Sequence, residues 1–256
     1  IGEVYGMRPA DRELQFASIN FDGAHERSLV PLAFGSGLMP RDNELWPVDR
    51  TAAEIARHGI TIACFMPSYL HQLAELVGSA GRNLPIRFYI VGGEATSRAS
   101  FEFIQETLRP PRIINGYGPT EAVITPLISK AYPGTRFECA YLPIGCPVGD
   151  RTAYILDANL SPVPQGVAGE LYLGGTGLAR GYLNRPADLT AAWARHLMAG
   201  LDSQIAALNS APLGWVMVLA LLLGLGALTR QILEDAARDE VATDQVVVHR
   251  DQDDRT

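Results

Sequence analysis

Residues 112–121 combine residue types that could do chemistry together. Three strand-type residues, 112–114, are followed by the sequence NGYGPTE at 115–121. Two glycines and a proline cannot extend a strand or begin an ordinary helix, so we expect the backbone to turn sharply there. Such a turn would bring main-chain N–H groups, a hydroxyl, an aromatic face and a carboxylate around one small space. These groups could hold a base, a phosphate and magnesium; the alternative is a plain connecting loop.

A second segment decides between these interpretations. Residues 169–183 read GELYLGGTGLARGYL and begin about fifty residues after the first segment. Together the two segments resemble the adenylation domains of non-ribosomal peptide synthetases, within the wider family of adenylate-forming enzymes. That family reads NxYGPTE and GELxxxGxGLARGYL, in this order and at this spacing. The resemblance implies a reaction in which an amino acid and ATP give aminoacyl-AMP and pyrophosphate, followed by thioester formation on a phosphopantetheine carrier.

Strand-like and helical segments alternate through the first half of the chain. The predicted strands are 14–20, 59–64, 86–91 and 112–114, and the predicted helices are 26–34, 51–58, 70–77 and 100–108. This alternation predicts an α/β fold, a parallel sheet with flanking helices. Ligands of such sheets lie beyond the carboxyl ends of the strands, where Asp22, Cys64, Gly92 and Gly116 fall.

The sequence changes character after this half. Residues 143–182 are rich in glycine, proline and short β-type runs, which predict antiparallel strands. The resemblance implies a small β-barrel-like subdomain there. We therefore assign residues 1–140 to a partial second α/β subdomain of an adenylation core and 141–190 to a partial β-barrel subdomain. Residues 191–256 form a tail in which the resemblance has ended.

The tail contains an apolar segment and a charged end. Residues 211–229 carry no charge and are long enough to just cross a bilayer as a helix. Residues 234–256 are highly charged, which predicts disorder. Three interpretations stay open: a single-pass membrane helix, a helix buried against a partner, and the translation product of a frameshift or gene rearrangement.

The composition excludes other classes of function. The chain has 256 residues, of which 47% are hydrophobic, and a net charge of −7. The acidic balance and the lack of a basic run argue against a nucleic-acid partner. Three widely spaced cysteines indicate reduced thiols in the cytoplasm rather than disulfides. No histidine has the spacing of a zinc ligand, so we expect no structural zinc.

The resemblance implies a substrate pocket. In the family, the aspartate of a Phe-Asp pair binds the α-ammonium of the amino acid, and Asp22 occupies that position. A desolvated ammonium needs a nearby negative charge, so Asp22 favours an amino acid over an acid that lacks an α-amine. The other pocket residues implied are Gly23, Glu26, Cys64, Ile90, Gly92, Gly116, Ile124 and Thr125. Three glycines and a cysteine leave this pocket open, which favours a long side chain.

Glu26 is the informative member of the pocket. An unpaired carboxylate in a closed pocket costs about several kcal/mol, so we expect it to meet an amine, a guanidinium or a strong donor such as a hydroxamate. This predicts ornithine or a hydroxylated or formylated ornithine, followed by lysine or arginine. The string FDGAHER at 21–27 resembles modules of pyoverdine-type siderophore synthetases, which favours the modified ornithine. The alternative is that Glu26 pairs internally with Arg27 or His25.

The same resemblance implies a nucleotide site. Its members are Gly92, Gly93, Glu94, Asn115, Tyr117 and Thr120, with Glu121 as the ligand of magnesium. Asn115 would bond the amino edge of adenine, Tyr117 would pack on the ring, and Thr120 would contact the α-phosphate. Arg180 is interpreted as structural.

Several parts of the family pattern are not found in these residues. They are the phosphate-gripping loop, the threonine–glycine–aspartate motif, the hinge and the small domain with the catalytic lysine. Adenylation depends on positioning the phosphates of ATP and stabilising charge as pyrophosphate leaves, so we expect this chain alone to be inactive. Carrier and condensation domains are the implied partners. A non-catalytic, membrane-attached remnant and an acyl-CoA or aryl-acid ligase are the alternatives.

Overall fold

The computed structural model describes residues 1–81, 83–184 and 247–248. Their contacts divide the chain into two compact units, Ile1–Tyr117 with Leu127–Ile144, and Gly118–Pro126 with Gly145–Thr256. The predicted subdomain boundaries at 140 and 190 stay a prediction. The predicted apolar helix at 211–229 lies outside the described residues. Within the described ranges, none of the helices is both long and apolar enough to cross a membrane.

The first unit alternates helices and strands. Its helices are α1 (Gly2–Tyr5), α2 (Asp22–Ala33), α3 (Val48–His58), α4 (Pro67–Ser79) and α5 (Arg98–Leu108). Its strands are β1 (Arg12–Gln15), β2 (Gly37–Pro40), β3 (Ile62–Phe65), β4 (Phe88–Val91), β5 (Ile113–Tyr117) and β6 (Leu127–Ala131). The strands of this unit lie in the order β2-β1-β3-β4-β5-β6. All neighbouring pairs are parallel except β5 and β6, which are antiparallel. The predicted α/β fold with a parallel sheet is confirmed.

Local sequence signals explain where the helices begin and end. Helix α4 has Pro67 in its first turn, where a missing N–H costs no hydrogen bond. Helix α5 begins after Ser97, whose hydroxyl accepts a hydrogen bond from the amide of Ser100. Helix α3 ends at Gly59, which has a φ of 58° and so adopts the left-handed conformation that glycine tolerates.

Alternation along the strands separates two faces of the sheet. One face is apolar and carries Ala63 and Phe65 of β3, Tyr89 and Val91 of β4, and Ile113 of β5. These side chains form a buried core with apolar residues of α3, α4 and α5, among them Leu70, Leu73, Ala74 and Val77 at helical spacing along α4. Residues at even positions of β3 and β4, including Cys64 and Ile90, lie on the opposite face.

Several sequence-based boundaries are wrong in detail. Helix α2 begins at Asp22 instead of Glu26, because Phe21 is extended and the carboxylate of Asp22 already lies in the first turn. Strand β1 covers Arg12–Gln15 instead of 14–20, since parallel pairing to β2 and β3 ends there. Strands β2 and β6 were not predicted, because runs of four and five residues carry little periodicity.

The expected end of the strand at Gly116 is also wrong. Strand β5 continues through Gly116 to Tyr117, where it pairs with Leu127 of β6. The ladder of hydrogen bonds to an antiparallel neighbour holds a glycine in a strand that its own propensity would not extend. The chain therefore turns later, through the 3-10 helix Thr120–Ala122 and the two residues that follow it.

The second unit contains a small antiparallel sheet. Its strands are β8 (Arg151–Leu156), β9 (Glu170–Gly175) and β10 (Val247–Val248), with β9 in the middle, and the short strand β7 (Cys146–Pro147) precedes them. The predicted antiparallel pairing of the runs at 152–156 and 170–173 is confirmed. Strand β10 lies in the segment that we predicted to be disordered. Consecutive valines have a high strand propensity, and the second edge of β9 accommodates them.

The α4 core provides a direct test of this architecture. Leu73 is fully buried, so Leu73→Ala should lower the free energy of unfolding by about 2–5 kcal/mol. Leu29 of α2 is 66% exposed, and the matched change Leu29→Ala should stay within about 0.5 kcal/mol. Urea unfolding of the three proteins measures both values. Equal losses in the two variants would contradict the placement of α4.

Candidate functional site

Three predicted pocket residues share one face of the sheet, and a fourth follows the end of a neighbouring strand. Cys64 of β3 is in register with Ile90 of β4, and Ile90 is in register with Ile114 of β5. Gly116 lies two residues after Ile114 in β5 and therefore on the same face, and Gly92 follows the last residue of β4 directly. A Cβ atom on Gly92 would lie 2.6 Å from the carbonyl oxygen of Gly116. Only glycine allows the two chains this close approach.

The first turn of α2 contains two further pocket residues. A carboxylate oxygen of Asp22 accepts a hydrogen bond of 2.6 Å from the amide of Gly23. A Cβ atom on Gly23 would meet no atom within 4 Å. The positive end of the helix dipole stabilises the negative charge of Asp22. The sequence therefore places an anion and an open backbone position together at this helix end.

Glu26 has an internal partner. Its carboxylate accepts a hydrogen bond of 2.7 Å from the hydroxyl of Tyr5 and forms an ion pair with Arg27. The structure thus shows the pairing with Arg27 that the sequence left open as the alternative. The sequence did not predict the hydrogen bond from Tyr5, because Tyr5 lies 21 residues from Glu26 in the chain. The role of Glu26 in substrate binding stays a prediction.

Glu13 is a buried acid that the sequence did not single out. Its side chain is fully buried, and one carboxylate oxygen lies 3.3 Å from a guanidinium nitrogen of Arg27. Among the residues that the structure describes, neither carboxylate oxygen of Glu13 has a hydrogen-bond partner. Glu13 is in register with Ile62 of β3, which puts it on the face that carries Cys64. We call Glu13, Arg27 and Glu26 the buried triad.

Burial controls the ionisation of this neighbourhood. Burial raises the pKa of Glu13 to about 7; Arg27 opposes this shift, while Glu26 and Asp11 add to it. Burial is the largest single influence on Arg27 and opposes its charge, but Glu13, Tyr5, Glu26 and Cys64 together outweigh burial and raise the pKa of Arg27, so Arg27 stays a cation. Burial raises the pKa of the Cys64 thiol to about 12, so this cysteine is neutral. The triad therefore contains two acids and one permanent cation.

The predicted adenine-side residues have defined positions in the first unit. Gly93 has a φ of 81°, which favours glycine. The Glu94 carboxylate accepts a hydrogen bond of 3.3 Å from the amide of Ser68 at the start of α4. Asn115 is buried, and its side-chain amide donates a hydrogen bond of 2.8 Å to the carbonyl of Pro143. Tyr117 is half-buried at the end of β5. The Asn115 side chain is thus fixed by a structural bond.

The remaining predicted residues lie in the second unit. Thr120 and Glu121 form a short 3-10 helix with Ala122, and Thr120 is exposed. The next two residues, Val123 and Ile124, have φ values of 56° and 64°. Two consecutive β-branched residues in this region are strained by about 1–3 kcal/mol each, a feature that concentrates at functional sites. No signal in the sequence could have indicated it.

The two sequence motifs contact each other within this unit. The amide of Ala179 donates a hydrogen bond of 2.7 Å to the carbonyl of Glu121. The hydroxyl of Tyr182 donates to the carboxylate of Glu121. A Cβ atom on Gly177 would lie 3.1 Å from the side chain of Val123. The glycine-rich segment therefore supports the loop that contains Glu121, Ile124 and the buried Thr125. Across the described ranges, no three histidine, cysteine or acidic residues cluster as a metal site.

Comparison with known families identifies the domain. The family model described as AMP-binding enzyme matches residues 1–183. The chain belongs to the AMP-binding enzyme family. The match covers both motifs and every predicted site residue, so the resemblance to adenylation domains of non-ribosomal peptide synthetases is confirmed at the level of the AMP-binding domain.

Individual relatives agree with this assignment. The chain is 39% identical over 195 residues to chondramide synthase cmdD of Chondromyces crocatus, an alignment that covers 73% of this chain and 5% of that protein. It is 35% identical over 194 residues to malpibaldin synthetase of Mortierella alpina, an alignment that covers 73% of this chain and 3% of the relative. The AMP-binding chain thus matches only a small part of the length of these two proteins.

A solved structure agrees on the fold. Holo-PA1221, described as a non-ribosomal peptide synthetase protein containing adenylation and PCP domains, aligns with a TM-score of 0.65 at 23% sequence identity. The alignment covers 76% of this chain and 33% of that one. At this identity the similarity concerns the arrangement of helices and strands.

The buried Glu13 makes stability depend on pH. Its pKa is about 7 in the folded protein against an ordinary value of 4.5, so the folded state binds the proton more tightly. Below pH 4.5 Glu13 is protonated in both the folded and the unfolded protein and does not lower stability. As the pH rises from 4.5 through 7, the free energy of unfolding falls by about 3 kcal/mol. Glutamine cannot ionise, so the free energy of unfolding of Glu13→Gln should not fall in this way. Urea unfolding of both proteins between these pH values should show the difference, and parallel curves would contradict it.

Proposed function

We propose that this chain is part of an amino-acid-activating adenylation domain. The parent reaction joins an amino acid and ATP to give aminoacyl-AMP and pyrophosphate, and then forms a thioester on a phosphopantetheine carrier. The main support is that Cys64, Ile90 and Gly116 share one face of neighbouring strands, with Gly92 directly after the carboxyl end of β4. Ligands of parallel α/β sheets bind at this edge.

Asp22 is the proposed anchor of the amino acid. A carboxylate at the start of α2 offers a negative charge to the α-ammonium of the substrate. The open space above Gly23 lets the substrate approach the helix end without meeting a side chain. An acid without an α-amine offers no cation for Asp22 to bind, which argues against an acyl-CoA or aryl-acid ligase.

The nucleotide would bind beside this pocket. One N–H of the Asn115 side-chain amide donates to the carbonyl of Pro143, and this bond leaves the side-chain oxygen as the proposed acceptor for the amino group of adenine. In the same unit, Tyr117 is half-buried at the end of β5 and offers a ring on which the base would stack. These are the proposed roles of the loop residues.

Glu121 is a suitable ligand for magnesium. Magnesium prefers hard oxygen ligands and often takes one or two carboxylates together with substrate phosphates. The Glu121 carboxylate is only partly buried and is oriented by the hydroxyl of Tyr182. Bound magnesium would neutralise charge on the phosphates of ATP. The carboxylate chemistry therefore fits the ion that the family implies.

The proposed substrate has a basic side chain of the ornithine type. The buried triad carries two carboxylates against one guanidinium, so its net charge is −1 when both acids are ionised. A cationic side chain would compensate this charge, and a neutral side chain would not. The resemblance of residues 21–27 to pyoverdine-type modules supports a hydroxylated or formylated ornithine and a siderophore product.

The proposed partners follow from the same family. PA1221 is described as containing adenylation and PCP domains, and a carrier domain is the acceptor that the second half of the reaction requires. Condensation domains of a synthetase in the cytoplasm would then use the thioester.

Replacement of Asp22 tests the proposed reaction class. Ornithyl sulfamoyl-adenosine, a stable analogue of the aminoacyl-adenylate, should bind the chain, and Asp22→Asn should weaken binding about thirtyfold, or about 2 kcal/mol. Calorimetric titration measures the two affinities without requiring turnover. Asp49 also lies in the first turn of a helix, α3, and is exposed. Asp49→Asn is therefore the matched control and should leave binding unchanged; equal binding by all three proteins would contradict the proposal.

Replacement of Glu26 tests the substrate class. Glu26→Gln leaves Glu13 and Arg27 as a neutral pair, so the preference for ornithyl over norvalyl sulfamoyl-adenosine should fall at least about tenfold. Norvaline has the same chain length as ornithine and no terminal amine. Competition binding gives the ratio of the two affinities. A ratio that stays unchanged would contradict the basic side chain while leaving the reaction class intact.

A further inference from the structure

The buried triad has more negative than positive charge. The side chains of Glu13, Arg27 and Glu26 are 0%, 4% and 9% exposed, so all three charges are removed from water. One guanidinium cannot neutralise two carboxylates. A buried carboxylate costs free energy unless it is paired and hydrogen-bonded. Glu13 accepts no hydrogen bond among the residues that the structure describes, so its position is costly.

Arg27 is held between the two acids. One of its terminal nitrogens faces Glu13 and the other faces Glu26. Its guanidinium carbon lies 4.5 Å from the centre of the Tyr5 ring, a cation–π contact that restrains the guanidinium further. Because Glu13 holds one edge of the guanidinium, Arg27 cannot turn its whole charge towards Glu26.

The triad adjoins the face of the sheet that carries the predicted pocket. Glu13 is in register with Ile62 of β3, and Ile62 lies two residues before Cys64 on the same face of the sheet. The electrostatic interactions of the Cys64 thiol include all three members of the triad. Glu26 is the most exposed of the three and therefore the one that a ligand can reach.

We propose that Glu13 is a positioning residue that sets the negative charge which Glu26 presents to a cationic substrate side chain. It does so by sharing Arg27: with Glu13 ionised, Glu26 is only partly neutralised, and with Glu13 neutral, Arg27 and Glu26 form a balanced pair. This inference rests on the proposed amino-acid site. It differs from the role of Glu26 because Glu13 never touches the substrate.

The same arrangement makes selectivity depend on pH. The groups that face Glu13 are Asp11 beside its own strand, Arg27 and Glu26 on α2, and the Cys64 thiol on β3, with Tyr5 of α1 stacked on Arg27. Arg27 keeps its charge, and Cys64 stays neutral. Protonation of Glu13 therefore frees Arg27 for Glu26 and removes the excess negative charge.

The experiment compares the two sulfamoyl-adenosine probes on the full chain. For the unchanged protein, ornithyl should bind more tightly than norvalyl, and Glu13→Gln should lower this ratio about tenfold through the ornithyl probe alone. Glu13→Asp keeps the charge and should restore most of the ratio. Glu75 of α4 has a side chain that is 61% exposed; Glu75→Gln removes one charge in the same way and should change neither affinity.

A pH series on the unchanged protein provides a second measurement that needs no substitution. The ornithyl-to-norvalyl ratio should fall as the pH drops from about 8 to about 6, whereas Glu13→Gln should show a flat profile. A structural role would alter stability but would not change this ratio.

The outcomes separate the two proposals. If both probes bind and neither Glu13→Gln nor pH changes their ratio, the inference about Glu13 is wrong and the proposed function stands. If neither probe binds the unchanged protein, the proposed function fails and the inference fails with it. If Glu13→Gln does not fold, as judged by circular dichroism, the pH series alone decides.

Discussion

Alternation of side chains along the parallel strands is the constraint on which the first unit depends. A strand directs successive residues to opposite faces, so each of β3, β4 and β5 must supply one apolar series and one series with other tasks. Ala63, Phe65, Tyr89 and Val91 seal one face against α3, α4 and α5. The other face is thereby free to carry Cys64, Ile90 and Gly116, with Gly92 just beyond the end of β4. A slip of one residue in register would exchange the two series and remove both the core and the site.

Buried charged side chains, those of Glu13 and Arg27, also lie at that second face. A buried ion pair seldom adds net stability, and a buried acid without hydrogen bonds subtracts from it. Glu13 is nevertheless kept fully buried beside Arg27, although an apolar residue in the middle of a strand would cost less. On the proposed function, the excess negative charge is a property of the site and favours a cationic side chain as the substrate. Stability and selectivity would then be linked through one carboxylate.

The second unit depends on backbone geometry more than on charge. Gly118 packs so closely on Pro126 that a Cβ atom would lie 2.0 Å from its ring, and the strained pair Val123 and Ile124 lies between them in sequence. The glycine-rich segment holds this loop by bonds to Glu121 from Ala179 and Tyr182. The two motifs are therefore halves of one structural feature, each fixing the conformation of the other.

The sequence by itself determined the fold class, the family and the residues of the motifs. Helical and strand periods are local properties, and glycine, proline and acidic residues at fixed spacing require no knowledge of distant partners. Tertiary structure alone decided the hydrogen bond to Glu26, because Tyr5 approaches it from another element, and it alone revealed Glu13 as a buried acid. It also extended β5 through Gly116, since the backbone hydrogen bonds to β6 outweigh the low strand propensity of one glycine. Contacts between distant segments set burial and charge pairing, and no local pattern encodes them.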